Sequence, residues 1–367
     1  MKILANKAYI DEVVFLTIER SGDHSPVAPK IPKVSHQPLY SHNLKSGLLN
    51  KINDFRIFTR QITDILQKHN ISQIMCRTSL AGSLGYLVSR KTKIPYHVES
   101  FEPHADYMLD GGVWSRWGFK YLFQKYWEAR IIKTADTIVT VSRFFTNKIK
   151  PSAGGKVYTF GCAVDTEKFK FSEKRRIEIR SKLGIRSATT VGIYVGKFGV
   201  IYYDHEAFEI FNKAFNQISS FQLIILTPQD KSWVCNRLLE HGIDLSKCHV
   251  DKVAHEEVSS YLSASDFAFS MVRPSSVRLY CSPIKDGEYW ANGLLVLSAD
   301  GIGEDSDIIK SEEVGALFKD DLSDVGFAIS KIKSGLGESR VNGTPQMVAR
   351  KYRNFEMLHE LYDQIFE

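Results

Sequence analysis

SPIKDGEYWANGLLVLSADGIG, Ser282 to Gly303, is the stretch on which the reading of this chain turns. Ser282 is of a type that caps helix N-termini, and Pro283 suits the first helical position, where its missing N–H costs nothing. The pair predicts a short helix, ended at Gly293 by a residue free to adopt left-handed φ. LLVLSA (Leu294 to Ala299) follows, apolar enough for a strand buried on both faces, and then a second glycine-rich turn. A helix start of this kind presents the N–H groups of Ile284 and Lys285, together with the positive end of the helix dipole. Lys285 adds a full positive charge, which suits a phosphate. Glu288, one turn further in, is placed to accept hydrogen bonds from paired sugar hydroxyls. The stretch therefore reads as a seat for a nucleotide diphosphate, although a helix packed on a parallel sheet needs no ligand. The rest of the chain has to decide.

The sequence has 367 residues, 43% of them hydrophobic, enough for two domains with separate cores. No apolar run reaches the length of a membrane span, and the start at Met1 does not resemble a signal peptide. Five cysteines (Cys76, Cys162, Cys235, Cys248, Cys281) make no CxxC pair. They read as reduced thiols of a cytoplasmic protein, not as disulfides or a zinc site. The formal net charge is +6, and residues 111–150, with eight basic and two acidic side chains, carry that amount by themselves. The same window holds Trp114, Trp117, Phe119, Tyr121, Phe123, Tyr126 and Trp127. Basic and aromatic together point to an anionic membrane surface or a lipid-phosphate acceptor. The competing reading is a partly buried helix with a solvated basic rim, because the apolar residues do not fall on one clean stripe. No DNA- or RNA-binding motif accompanies the charge, so no nucleic-acid partner is expected.

Strand-like and helix-like segments alternate along the whole chain, the pattern of parallel sheets with crossovers. EVVFLTI (Glu12 to Ile18) reads as a strand, residues 20–46 as a long polar loop, and Leu48 to Lys68 as a helix. ISQIMCR (Ile71 to Arg77) and IPYHVES (Ile94 to Ser100) are further strands, the second opening into FEPHADYML. Ligands gather at the carboxyl ends of such strands, where Glu99, Glu102, His104 and Asp106 fall. TIVTVS ends a strand at Ser142, a helix cap. The charged run SEKRRIEIRSKLGI marks the boundary between domains. VGIYVGKFG (Val191 to Gly199) begins the second domain, and its Gly196-Lys197-Phe198-Gly199 turn sets a lysine at a strand's carboxyl end. Thr344 and Pro345 open an amphipathic helix running to Glu367, expected to cross back onto the first domain.

Two successive α/β halves resemble the GT-B glycosyltransferases. YVGKFG, AHEEVSSYLSASDFAFS and above all GEYWANGLLVL, which matches the helix-then-strand signature GE-x-x-A-x-G-x-P-V, resemble the retaining family 4, or group 1, enzymes. The resemblance implies two Rossmann-like domains facing each other across a cleft: residues 1–170 on the acceptor side, residues 171–344 binding the nucleotide sugar, and the helix 345–367. It implies that Glu288 binds the ribose, that Lys197 and Lys285 face the diphosphate with Gly196, and that the Ile284 and Lys285 amides hold the distal phosphate behind Ser282 and Pro283. Val253 stands where main-chain contacts hold the base. His104 is similar to the first-domain histidine that contacts the transferred sugar. Tyr280 occupies the place of a second glutamate that lies eight positions before Glu288 in the family. The family also opens with a strand and a glycine-rich loop, and too few residues precede EVVFLTI to form both.

The implied activity is transfer of a sugar from a nucleotide diphosphate sugar to a hydroxyl of a glycan or lipid-linked acceptor, with retention, in surface polysaccharide assembly. Fixed positive groups would stabilise the leaving diphosphate, so neither a metal nor a cofactor is expected. The expected location is cytoplasmic, on the inner face of the membrane through residues 111–150. Two alternatives stand beside it: a nucleotide-sugar epimerase, for which no facing set of acid/base carboxylates is identified, and a non-catalytic nucleotide- or carbohydrate-binding member, favoured by Tyr280 and the short start.

Overall fold

The computed structural model describes residues 1–20, 30–41, 47–337 and 342–366. Its second half is built on one six-stranded sheet. The strands are β7 (Thr190–Val195), β8 (Phe221–Leu226), β9 (Cys248–Asp251), β10 (Phe267–Ser270), β11 (Leu295–Ala299) and β12 (Gly315–Phe318), in the spatial order β12-β11-β10-β7-β8-β9, every pair parallel. Counted within this half, that is the doubly wound order 3-2-1-4-5-6, whose direction of winding reverses between β7 and β10. Helices cover both faces, which is why the strands are apolar without alternation. Leu295 and Leu297 of β11 enter one core with Tyr194 and Phe269, while Val296 enters the other with Val191 and Ile193. Each such side chain, fully buried, contributes about 1.5–3 kcal/mol.

The first half is divided. β1 (Val13–Arg20) and β2 (Val34–Ser41) form a parallel pair, and β3 (Ile74–Arg77), β4 (Tyr96–Phe101), β5 (Thr137–Thr140) and β6 (Lys156–Thr159) form a separate four-stranded parallel sheet. Among the described residues no strand joins the two. The chain before β1 makes only a short helix, α1 (Lys2–Ala5). α2 (Gly47–Lys68) and α3 (Thr78–Thr92) bridge the gap: Phe58, Ile62 and Leu66 of α2 pack with Leu39 of β2 and with Leu84 and Val88 of α3. β2 lies inside the stretch that reads as loop. Its sequence VSHQPLYS contains a proline and polar residues, which an edge strand tolerates. The rest of that loop, residues 21–29 and 42–46, lies outside the described residues.

The charged run forms α7 (Glu173–Lys182), whose Arg176 and Arg180 each pair with Asp266 at 2.7 Å beside β10, so it packs on the second half. At the far end the expected single helix is two. α14 (Thr344–Arg353) packs on the second half and starts after Gly343, so Thr344 is its first residue and not its cap. Asn354 is extended and bridges Val164, and α15 (Met357–Phe366) then lies on the first half, where the Tyr362 hydroxyl donates to Glu99 at 2.8 Å. The chain does cross back, by breaking.

Candidate functional site

The stretch expected to seat a nucleotide lies where the ends of β10 and β11 approach the first half. α11 (Ile284–Ala291) precedes β11, and Gly293, at φ +84°, turns the chain between them. The turn after β11 comes back against the start of α11: Gly303 sits at φ +50°, and a Cβ there would lie 2.1 Å from the Cys281 carbonyl oxygen. Only glycine fits that approach. Ile284 is 45% exposed and Lys285 partly so, which leaves the helix start open to solvent. The N–H groups of Ile284 and Lys285 precede any intrahelical partner.

Glu288 lies one turn deeper and is buried. Lys285 Nζ donates to its Oε2 at 3.0 Å, and His255 Nε2 stands 3.3 Å from its Oε1. His255 opens α10 (His255–Ala264), two residues after Val253, so the segment expected to hold a base lies beside the expected ribose carboxylate. The signature does not single His255 out. Only the fold, by setting the start of α10 against α11, brings it to Glu288.

Ser282 does not cap α11. Its buried hydroxyl accepts from the Cys162 N–H at 3.0 Å and from the Arg353 guanidinium, so Pro283 takes the cap position instead of the first helical one, Ile284 opens the helix, and no side chain caps it. Arg353 is itself wholly enclosed. It pairs with Asp305, donates to the Cys162 carbonyl, and lies over the Trp290 ring. Asp286, in the first turn of α11, is buried against Asp305. Burial and then the Asp305 charge push its carboxyl well above the usual carboxylate range.

The β7 turn faces the same gap. Gly196 N–H donates to the Leu226 carbonyl at 3.0 Å, the Tyr194 hydroxyl donates to the Lys197 carbonyl, and the Lys197 side chain is exposed. A Cβ on Gly111 of the first half would touch Val200 at 3.2 Å, so this turn meets the first half directly. On that side α4 (His104–Asp110) begins with His104, whose ring meets Trp114 edge-on at 5.5 Å. Buried Glu128 accepts the Ala105 N–H at 2.9 Å and anchors the helix start. Its far end, about 9 Å along the axis, crosses the gap: Asp110 pairs with buried Arg278 at 2.8 Å and accepts from the Ser275 hydroxyl at 3.1 Å.

Of the acids gathered after β4, Glu99 accepts from Tyr362 and Asp106 pairs with Lys125 at 3.1 Å, so both are engaged structurally. Glu102 faces Arg278 across the gap, and burial raises its carboxyl to about 7 against the pull of that guanidinium. Tyr280 is turned onto the first half, its ring 5.2 Å from Phe145 and under Lys148 Nζ at 4.7 Å. The Ser142 hydroxyl caps α6 (Arg143–Ile149), as its sequence predicts, and also donates to the Leu279 carbonyl at 2.8 Å. A cavity of about 240 Å³ opens between the halves, lined by Arg143, Thr159 and Gly161 from one side and by Ser282, Asp305 and Arg353 from the other.

No protein-family profile matches the sequence, and no curated protein matches it. Solved structures do resemble it. A sucrose-phosphate synthase from Thermosynechococcus elongatus superimposes with a TM-score of 0.74 at 18% identity, covering 100% of this chain and 91% of that one. A glycosyltransferase from Rickettsia africae gives 0.68 at 12%, covering 97% and 98%. HepE from Anabaena, in complex with UDP-glucose, gives 0.66 at 11%, covering 91% and 85%. The chain has the GT-B fold: two Rossmann-like α/β halves with their strand ends turned toward one another.

Proposed function

We propose that the protein is a glycosyltransferase that moves a sugar from a nucleotide diphosphate sugar to a hydroxyl of a glycan or lipid-linked acceptor, with retention and without a metal, in surface polysaccharide assembly. The observation that carries this reading is the buried Glu288 carboxylate held by Lys285 and His255 beneath an open helix start, next to the sheet's switch point. A ribose diol would take up the carboxylate lone pairs, displacing His255, which is 52% exposed on its side chain, more readily than the lysine. The diphosphate would then lie against the Ile284 and Lys285 amides, with Lys285 and Lys197 opposing its charge. Val253 would back the base. In the reaction the anomeric C–O bond to the diphosphate breaks as the acceptor oxygen bonds the same carbon from the same face. The acceptor's proton passes to the departing phosphate oxygen. His104 would orient the sugar. That a structural relative was solved with UDP-glucose supports a donor of this chemical class.

For the acceptor side, the helix α5 (Phe119–Thr134) supports a membrane-facing reading. Phe119, Leu122 and Tyr126 lie exposed along one ridge beside exposed Lys120, Arg130 and Lys133, with Trp117 82% exposed just before them. Half-buried Phe123 and Trp127 pack with Phe55, and Gln124, Glu128 and Ile131 are the buried residues of the helix. No described helix is long and apolar enough to cross a membrane. Attachment of this kind would be peripheral.

The contact of Tyr280 with Phe145, where the resemblance places a glutamate, favours one competing reading: a member that binds nucleotide without turnover. A thermal-shift panel of nucleoside diphosphates and their sugars, followed by transfer assays with the best donor, separates the two. Stabilisation with product supports the transferase. Stabilisation without product for any lipid-linked or glycan acceptor supports the binding member. No stabilisation by any nucleotide refutes both.

A further inference from the structure

Away from the gap between the halves, three side chains of ligand type meet where α8 (His205–Gln217) begins and α9 (Lys231–Glu240) ends. His205 opens α8, Glu209 lies one turn on, and His241 follows the last residue of α9. His205 Nε2 stands 3.3 Å from Glu209 Oε1, and the two imidazole rings are 4.5 Å apart between centroids. One ligand atom from each residue lies within 4.8 Å of the other two.

His241 shows which way the site points. Its Nδ1 is 2.7 Å from the Arg237 carbonyl oxygen, which can only accept. Nδ1 therefore carries the proton, and Nε2 presents a lone pair. That Nε2 is shielded from solvent and has no hydrogen-bond partner among the described residues. A shielded acceptor with no donor bears an uncompensated desolvation cost. A carbonyl fixing the far nitrogen of a ligating imidazole is also the usual outer support of a metal site.

We propose that His205, Glu209 and His241 bind a divalent transition-metal ion of the zinc type. Two imidazoles and one carboxylate suit such an ion, with water completing a tetrahedron at bond lengths of about 2.0–2.2 Å. Calcium and magnesium prefer all-oxygen shells. The ion clips α8 to the end of α9. Arg237 competes with it: its Nη2 lies 3.1 Å from His205 Nδ1 and can only donate, which holds the His205 proton on Nε2. Metal entry moves that proton to Nδ1 through solvent and releases the guanidinium, which keeps its pairing with Glu240 at 2.9 Å. This inference is independent of the nucleotide reading, and its failure leaves that reading untouched.

The test is titration of tag-free, chelator-treated protein with Zn²⁺, and with Co²⁺ as a spectroscopic probe. The expected result is one ion per chain, tetrahedral Co²⁺ bands displaced by Zn²⁺, and a rise in melting temperature. His205→Ala, at an exposed position, and His241→Ala should each weaken binding at least tenfold and abolish the melting shift. Arg237→Gln, which keeps the carbonyl that orients His241, should tighten binding several-fold. Absent uptake, uptake that survives both histidine substitutions, or weaker binding in Arg237→Gln overturns the proposal.

Discussion

The two halves differ in how they hold their share of the candidate site. In the second, one continuous six-stranded sheet with both faces covered presents α11, the β7 turn and the start of α10. In the first, the strands fall into a pair and a group of four, and His104 is positioned by side chains: Glu128 under the start of its helix, Arg278 from across the gap at its end. A site wall built on a closed sheet owes its geometry to apolar burial. One built on hydrogen-bonded carboxylates owes it to their protonation and pairing.

The strongest way to break this contrast is Arg353, which ties the Cys162 segment, Ser282 and Asp305 together from α14. Arg353→Met leaves Asp305 buried without its cation, and a loss of about 3–5 kcal/mol is expected in denaturant unfolding. Loss below 1 kcal/mol would show that the knot is not structural. Glu288→Ala comes next. Nucleotide affinity should fall roughly 10- to 100-fold, the value of one or two hydrogen bonds to a charged group, as read by calorimetric titration.

The first half should reveal its dependence on protonation. Burial raises Glu128 from 4.5 to about 7, so the folded chain keeps a proton that the unfolded chain has lost between those values. Stability therefore falls as pH rises through that window, and the penalty is complete above it. Glu128→Gln keeps an oxygen for the Ala105 N–H and should flatten the slope. It should add on the order of 1–3 kcal/mol at pH 8 and nothing at pH 4, measured by urea unfolding at both values. An unchanged slope would remove Glu128 from the account. The smallest effect is expected at the exposed ridge of α5. Arg130→Glu with Lys133→Glu should weaken binding to anionic vesicles by roughly 1 kcal/mol per charge removed, and leave binding to zwitterionic vesicles unchanged in a flotation assay.

How far the sequence could be read follows the same division. Runs such as LLVLSA and QLIILT (Gln222 to Thr227) are strands buried on both faces, and a short unbroken apolar run between turn signals is enough to find them. VSHQPLYS, half exposed and paired on the edge of a two-stranded sheet, looks like loop until β1 is beside it. GALF, the four residues of β12, is too short for its pattern to mark a strand. Within the candidate site, Lys285 and Glu288 belong to one local motif and the Gly196 turn to another, and both are legible in the sequence. His255, Arg278 and Arg353 come from separate elements, and only the fold brings them to it. Ser282 shows the limit of local rules. A residue of capping type lay in capping position, yet Cys162 and an arginine some seventy residues onward along the chain engage its hydroxyl instead.

The most direct measurement is calorimetric titration of wild-type and Glu288→Ala protein with nucleoside diphosphates and the matching nucleotide sugars. Saturable binding of one base class at one site per chain is expected, lowered at least tenfold by the substitution while the melting temperature stays within a few degrees. Equal affinity in both proteins, or no binding of any nucleoside diphosphate to the wild type, would contradict a nucleotide seat at the start of α11.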